Sequence, residues 1–166
     1  MAVRRNFTEH RFVWLVTGMV FGLALAYYWP HEPAHASDVA LGDKFAMCTV
    51  ETLAGNSEAI FVLDFTTGRL LGAAYNTQTG SFTHSYARNV AADFKVAEGA
   101  QYVVVPGLAN LRTTAGGPPA RGVIYIGELT SGLVSMYAFP YVQSARQLPP
   151  QQLQLLAQLP WRQASR

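Results

Sequence analysis

Hydrophobic positions follow two different patterns along this chain. An apolar run from residue 12 to 29 contains no charged residue. From residue 45 onward, short apolar segments rich in aromatic and β-branched residues alternate with glycine-containing polar stretches, which is the pattern of β-strands. The predicted strands are 45–51, 59–65, 69–75, 101–105, 122–129 and 133–139. One short helix is predicted at 86–94, because Tyr86, Val90 and Phe94 recur at four-residue steps.

The uncharged run at 12–29 has the length of a membrane-spanning helix. At about 1.5 Å per residue it extends about 27 Å, close to the hydrocarbon thickness of a bilayer. Arg4, Arg5 and Arg11 precede it and aromatic residues close it, a distribution typical of an anchor whose N-terminus is cytoplasmic. We therefore expect a single-pass inner-membrane protein with most of its chain outside the cytoplasm.

A cleaved signal peptide is the alternative for the same segment. Ala34-His35-Ala36 matches a signal-peptidase site, and cleavage after Ala36 would leave a secreted or periplasmic protein. The apolar run exceeds the usual signal core of about 7–15 residues, which favours the retained anchor.

Composition and spacing divide the chain into five parts. These are a basic cytoplasmic segment (1–11), the anchor or signal (12–29), a proline-rich linker (30–44), an extracytoplasmic β domain (45–142) and a tail rich in Gln and Leu (143–166). In the tail, Leu153, Leu156 and Leu159 have the spacing of one face of a short helix.

A zinc-protease motif is spelled within the linker. His31-Glu32-Pro33-Ala34-His35 matches H-E-x-x-H, whose chemistry requires a helix that places both histidines on one face. Pro33 interrupts such a helix and Pro30 precedes it. We therefore expect no metal site here.

Two segments of the predicted β domain are similar to each other. "AIFVLDFTTGRLLGAAY" at 59–75 aligns without a gap on "VIYIGELTSGLVSMYAF" at 123–139. The matched positions are Asp64 with Glu128, Thr66 with Thr130, and Gly68 with Gly132. This pattern predicts two hairpins, in which glycine supplies the positive φ of a type I turn with a following bulge, and the acidic residue and threonine bond turn amides. A catalytic carboxylate pair is the alternative, but turn chemistry already accounts for both acids.

The repeated strands are apolar on both faces. Ile60 and Val62 lie on one face of the strand 59–65, and Phe61, Leu63 and Phe65 lie on the other. A sheet with one solvated face would alternate apolar and polar residues, so we expect both faces to be buried. Because a chain this small has little material with which to cover both faces, we expect a homo-oligomer or an envelope protein partner. The alternative is a monomer capped by its own helical segments.

Composition excludes nucleic-acid binding. Only 13% of the residues are charged and the formal net charge is +2, whereas a nucleic-acid-binding domain concentrates basic residues on one face. Here the basic residues are scattered singly.

Few residues offer catalytic chemistry. His84 adjoins Ser85 and could pair with Asp93, but the sequence has no G-x-S-x-G motif. Cys48 is the only cysteine, so no intrachain disulfide forms, and its apolar neighbours favour a buried structural thiol. We therefore predict an interaction or structural module of the cell envelope without catalytic residues; the alternative is a small hydrolase or redox enzyme that uses His84, Asp93 or Cys48.

The hairpin "IFVLDFTTGRLLGA" resembles part of a β-propeller blade of the quinoprotein-repeat kind, and "VIYIGELTSGLVSMY" is similar with Glu128 replacing the aspartate. The resemblance implies two blade-like units, although two blades cannot close a ring. The cofactor-binding residues of quinoproteins have no counterparts here, so no cofactor is expected. The order of the segments over most of 12–142 also resembles small exported proteins of planctomycete-type bacteria, a resemblance that implies no particular activity.

Overall fold

A computed structural model describes residues 7–28, 39–53, 57–96, 99–112 and 117–162, without the side chains of 7–11 and 26. The chain divides into two compact units, Met1–His35 and Ala36–Arg166. In the first unit, helix α1 (Phe7–Tyr28) exposes its described side chains. Among the residues described, no helix combines the length and the apolarity needed to cross a membrane.

The described part of the second unit consists mainly of β-strands. Its elements are β1 (Val39–Leu41), β2 (Phe45–Leu53), β3 (Ser57–Asp64), β4 (Arg69–Asn76), β5 (Ser81–Asn89), α2 (Val90–Phe94), β6 (Tyr102–Leu108), β7 (Gly122–Glu128), β8 (Leu133–Ala138), β9 (Gln151–Gln152) and β10 (Gln154–Pro160). The mainly β class predicted from the sequence is therefore confirmed.

The strands form two sheets. One has six strands in the order β1-β2-β3-β4-β5-β9, and the other has four in the order β10-β8-β7-β6. Neighbouring strands are antiparallel except for β5 and β9, which are parallel. Each sheet thus contains a four-stranded antiparallel meander, β2 to β5 or β6-β7-β8-β10, with one of the two similar hairpins at its centre.

The inner faces of the two sheets share one buried core. Phe61 of β3 and Tyr86 of β5 both contact Phe139, which follows β8, with ring centroids 5.0 and 5.1 Å apart respectively. All three side chains are buried, as are Ile124 and Ile126 of β7. Burying side chains of this size supplies about 1.5–3 kcal/mol each, so this shared layer holds the sheets together.

The outer faces of the sheets are partly exposed, so the expectation that both faces are buried was wrong. Ile60 and Val62 on the outer face of β3 are only half-buried, while Leu71 of β4 is 50% exposed and Val103 of β6 is 56% exposed. Two sheets that pack by one face each leave the other two faces outward. The apolar side chains on the outer faces are therefore part of the protein surface.

The predicted helix at 86–94 is shorter in the structure. Residues up to Asn89 belong to β5, where Tyr86 is buried by the two-residue alternation of a strand, and only Val90–Phe94 is helical. The Asn89 side chain accepts a hydrogen bond from the Ala92 amide and caps the helix. Val90 and Phe94 are buried. The four-residue spacing therefore correctly placed these two residues on the buried side of a helix, but it wrongly included Tyr86.

The helix predicted in the C-terminal tail was also wrong. Residues 154–160 form β10, which pairs with β8, and Gln151–Gln152 pairs with β5. Leu153 between them is fully buried, whereas Leu156 and Leu159 are exposed. The tail therefore contributes a strand to each sheet.

Candidate functional site

Asp64 organises the loop of the first similar hairpin. Its carboxylate accepts hydrogen bonds from the Thr66 amide at 2.8 Å and the Thr67 hydroxyl at 2.6 Å. The Gly68 amide donates to the Asp64 carbonyl at 2.8 Å, and Gly68 has a φ of 61°. Asp64 pairs directly with Arg69, so the loop has four residues in place of the predicted turn and bulge. The Thr67 hydroxyl and the Thr66 amide lower the pKa of Asp64.

Glu128 has the same position in the second hairpin but is buried. It accepts hydrogen bonds from the amides of Thr130 at 2.9 Å and Ser131 at 2.5 Å, and from the Gln101 amide at 3.3 Å. Gly132 closes the loop with a φ of 65° and an amide bond of 3.1 Å to the Glu128 carbonyl. Burial alone would raise the pKa of Glu128, but the amides of Ser131 and Thr130 hold it below its usual value. The hydrogen bonds of both carboxylates therefore go mainly to their own loops, as turn chemistry requires.

A third loop of this kind, between β4 and β5, was missed in the sequence. Asn76 accepts hydrogen bonds from the amides of Gln78 and Thr79 at 2.7 and 3.3 Å, and Gly80 has a φ of 65°. The signal was present, because Asn76 precedes Gly80 by four residues just as Asp64 precedes Gly68. The recurrence indicates that this acidic or amide position is a feature of loop geometry.

His84 is a buried structural residue of β5. Its Nε2 lies 3.0 Å from the Val142 carbonyl, which can only accept, so Nε2 carries the proton and Nδ1 accepts from the Thr83 hydroxyl at 3.0 Å. Burial lowers the pKa of His84, partly offset by the Val142 carbonyl. The neighbouring Ser85 points to the other face of the strand. The structure therefore does not assemble a Ser-His pair.

Asp93 belongs to a separate ion pair. Arg88 donates two hydrogen bonds to its carboxylate, at 2.8 and 2.6 Å, and the Tyr137 hydroxyl donates a third at 3.0 Å. Arg88 lies four residues beyond His84 on β5, about 13 Å along the strand. Asp93 therefore braces α2 against both sheets and does not orient His84.

Cys48 lies in the shared core. It is 2% exposed, and burial raises its pKa to about 11. A thiol with this pKa is protonated at neutral pH and is a poor nucleophile. The described residues include no cluster of His, Cys, Asp or Glu able to hold a metal ion, and His31, Glu32 and His35 of the linker lie outside the described residues, as does the cleavage site at Ala36.

The outer face of the four-stranded sheet carries an apolar groove of about 540 Å3. Two rows of paired residues cross this face, Val105-Tyr125-Met136-Ala157 and Val103-Gly127-Val134-Leu159. Gly127 forms the floor of the groove because it has no side chain between Val103 and Val134. Trp161, which follows β10, closes one side and is 48% exposed.

No residue of these two rows is acidic or basic. Two charged residues lie near them: Glu128, which lines the groove but is buried against the amides of its own loop, and Arg162, whose guanidinium lies 5.0 Å from the centroid of the Trp161 ring. The outer face of the six-stranded sheet differs, since the Asp64–Arg69 pair lies at one end and the Glu51–Glu58 pair at the other. Apolar pockets of about 300–1,000 Å3 that expose aromatic side chains are the usual shape of binding sites. The groove is therefore the strongest candidate site of the described residues.

The sequence predicted three of the four strands of this sheet, but neither β10 nor the groove itself. Tyr125 and Val134 lie within the second similar segment, while Val103 and Trp161 come from segments that the repeat does not include. The strand order that brings these four residues together depends on β10, which was predicted to be helical. Among the known proteins compared with this chain, no family model, no curated protein and no solved structure matches it.

Proposed function

We propose that this protein is a membrane-anchored, extracytoplasmic interaction module of the bacterial cell envelope, which binds a protein partner through the apolar groove on its four-stranded sheet. The observation that carries the proposal is this uncharged face, where Val103 and Val105 are 56% and 50% exposed. Contiguous exposed apolar surface is uncommon on monomers and typical of interaction sites.

The anchoring part of the proposal is supported by the sequence. The uncharged stretch 12–29 follows three arginines, and α1 covers nearly all of it as one helix. An anchor restricts copies of the chain to one surface, which raises their effective concentration for one another.

The blade-like part of the proposal is supported by the strand order. Each sheet contains a four-stranded antiparallel meander with a similar hairpin at its centre, which is the composition of a propeller blade. In a closed ring each blade is covered by its neighbours. Two blade-like units leave outer faces uncovered, and this provides a reason for the exposed groove.

A second copy of the chain is the partner that this face favours. A two-fold interface brings the same patch of both subunits together, so a patch that carries charges of one sign would repel its own copy. The rows through Tyr125 and Gly127 carry no charge, and self-association meets no such repulsion. A different envelope protein with an apolar surface is the second candidate.

Photocrosslinking in membranes tests this proposal. A photoreactive phenylalanine analogue replaces Val105 in the groove, or Leu71 on the outer face of the other sheet, and both positions are 50% exposed. We expect a crosslinked product from Val105 and much less from Leu71. A product of twice the chain mass identifies a second copy, and another mass identifies a different envelope protein.

Filling the groove provides the matching loss-of-function test. Gly127→Leu adds a side chain to the groove floor, where the nearest atom to a new Cβ is 3.7 Å away, so the fold tolerates it. Ala73→Leu places the same side chain on the outer face of the six-stranded sheet and is the control. Loss of the Val105 crosslink in Gly127→Leu alone is expected; equal crosslinking in all variants would contradict the proposal.

A further inference from the structure

A small polar cavity lies at one end of the six-stranded sheet, away from the apolar groove. Its volume is about 200 Å3. Ser57 from the start of β3, Tyr75 and Asn76 from the end of β4, and Tyr141 and Gln143 from the segment after β8 line it. Three separate parts of the chain thus bring hydroxyl and amide groups to one place.

Buried hydrogen bonds hold the back of this cavity rigid. The fully buried Thr52 hydroxyl lies 2.7 Å from both the Ser57 hydroxyl and the Ser57 carbonyl. The Asn76 side chain donates to the Ser144 carbonyl at 2.6 Å and fixes its own loop. The Tyr141 ring contacts that of His84 at a centroid distance of 4.8 Å. A binding site on such a rigid base loses little entropy when it orders a ligand.

The phenol of Tyr141 retains capacity for a ligand. Tyr141 is 5% exposed, and its hydroxyl makes one long contact of 3.4 Å with the Ser57 hydroxyl. The Thr52 hydroxyl donates its one proton to the Ser57 carbonyl, so the Ser57 hydroxyl donates to Thr52 and can only accept from a ligand, whereas the Tyr141 hydroxyl can both donate and accept. Gln143 at the rim is exposed and supplies an amide with the same dual capacity.

The lining selects against charged and against purely apolar ligands. None of the described residues that line the cavity is acidic or basic, so an ionic ligand would lose hydration without gaining an ion pair from them. An apolar ligand would leave the Tyr141 hydroxyl with only its long contact of 3.4 Å to the Ser57 hydroxyl, and a buried hydroxyl without a good partner costs about 1–3 kcal/mol. A neutral molecule rich in hydroxyl groups meets neither penalty.

Two exposed aromatic residues add an apolar platform at the cavity. The Tyr75 and Phe82 rings lie edge to face with centroids 5.7 Å apart, and they are 42% and 56% exposed. A sugar ring has hydroxyls at its edge and C–H groups on its faces, so it can use both the polar cavity and an aromatic face. The volume is below the roughly 300–1,000 Å3 of drug-sized sites and suits a single ring.

We propose that this cavity binds one neutral sugar unit of a glycan, with Tyr141, Ser57 and Gln143 bonding its hydroxyls and Tyr75 packing on its ring. The cavity and the apolar groove share no lining residue. The sugar-binding proposal can therefore be tested independently of the proposed protein partner.

Saturation-transfer NMR on the full chain in lipid nanodiscs tests the site, with maltopentaose, cellopentaose and chitopentaose as neutral probes. We expect at least one to bind at millimolar concentration. Tyr141→Phe keeps the buried ring and removes one hydrogen bond, so binding should weaken about two- to tenfold. Gln143→Ala should have a similar effect, and Tyr75→Ala should weaken binding about tenfold. Gln152→Ala changes an exposed glutamine of β9 that does not line the cavity, so it is the matched control for Gln143→Ala and should bind like the wild type.

The same experiment can overturn the proposal in three ways. These are binding of none of the three sugars, binding that Tyr141→Phe and Gln143→Ala leave unchanged, or binding of oligogalacturonate, an acidic oligosaccharide, in preference to all neutral ones. Gln143 is exposed, so its variant should fold normally even where a change at the buried Tyr141 does not.

Discussion

Gly68 and Gly80 occupy equivalent positions in two hairpin loops, but their surroundings differ. Both have positive φ, 61° and 65°. A Cβ at position 68 would collide with the Cβ of Ala91 in α2, whereas at position 80 the nearest atom is the Tyr75 hydroxyl at 3.8 Å. Gly80→Ala should therefore cost only the left-handed backbone, about 1–2 kcal/mol, and Gly68→Ala should cost clearly more.

Urea denaturation followed by circular dichroism measures this difference. Both variants lose stability because of the left-handed backbone. The additional loss of unfolding free energy in Gly68→Ala therefore measures the collision between the loop and α2. Equal unfolding free energies for both variants would show that α2 moves away without cost, in contradiction to this account.

Glu128 should make the stability of the β domain sensitive to acid. Its pKa in the folded protein is below its usual value because the amides of Ser131 and Thr130 outweigh the opposing effect of burial. Its contribution is therefore fully present above the unfolded pKa of about 4.3 and is lost as pH falls through the folded pKa. We expect the free energy of unfolding to decrease as pH falls below about 4.5.

Glu128→Gln is the variant that isolates this effect, since it keeps the shape and removes the charge. Hydrogen bonds to a charged group contribute about 1.5–3 kcal/mol, so the variant should lose about 1–3 kcal/mol at neutral pH. Its loss on acidification, measured by urea midpoints from neutral pH to about pH 3, should be smaller than that of the wild type. If Glu128→Gln loses as much unfolding free energy on acidification as the wild type does, other groups are responsible for the acid sensitivity.

At the scale of elements, alternation and turn residues predicted most strands. The strands expected at 59–65 and 69–75 correspond to β3 and β4 within one or two residues. They were predictable because both flank a polar loop and bury alternate side chains, which are local properties of the sequence. The helix starting at Tyr86 was overextended because a four-residue spacing also satisfies the two-residue period of a strand.

The C-terminal strand could not be predicted from local pattern. Leu153, Leu156 and Leu159 have helical spacing, but pairing with β8 satisfies the backbone of 154–160 and a short isolated helix would be marginal in water. The groove depends on this long-range pairing, since Leu159 lies opposite Val134. The groove could therefore not be predicted without predicting β10.

Lys95 ends α2 in a left-handed conformation. Its φ is 56°, and its amide bonds the carbonyls of Ala91 and Ala92. In this conformation the Cβ of a lysine is sterically strained, whereas glycine has no Cβ. Lys95→Gly should therefore stabilise the protein by about 0.5–1 kcal/mol, measured by the same urea denaturation.

Lys44→Gly is the natural control for Lys95→Gly. Lys44 does not have positive φ among the described residues, so glycine there adds only flexibility to the unfolded chain and should give no stabilisation. Stabilisation by both substitutions would point to a general effect of removing a lysine charge.

At the scale of the whole molecule, the fate of the N-terminal segment decides where the β domain resides. The division of the chain into two compact units falls after His35 in the sequence, close to the candidate cleavage site. We predict that the chain stays in the pellet when membranes are extracted with alkaline carbonate, because the stretch 12–29 is uncharged. Release of a soluble chain that begins at Ser37 would contradict the anchor and establish the cleaved form.

A chain that consists of residues 37–166 should associate weakly. Valines and leucines on both outer faces remain exposed, but the proposed anchor, which would concentrate the chains on one surface, is absent. Multi-angle light scattering should therefore show an average mass that rises with protein concentration. Val103→Asp, at a position 56% exposed in the groove, places like charges close together in a two-fold dimer and should abolish the rise.

Leu71→Asp adds the same charge at a position 50% exposed on the outer face of the other sheet, and it should leave the rise in mass intact if the groove forms the contact. The reverse result would move the interface to the six-stranded sheet. A wild-type mass that stays monomeric at high concentration, without binding of an apolar dye, would mean that the exposed residues on both faces do not drive association. The uncharged groove would then require a different envelope protein as its partner, because its side chains gain from burial only when another apolar surface covers them.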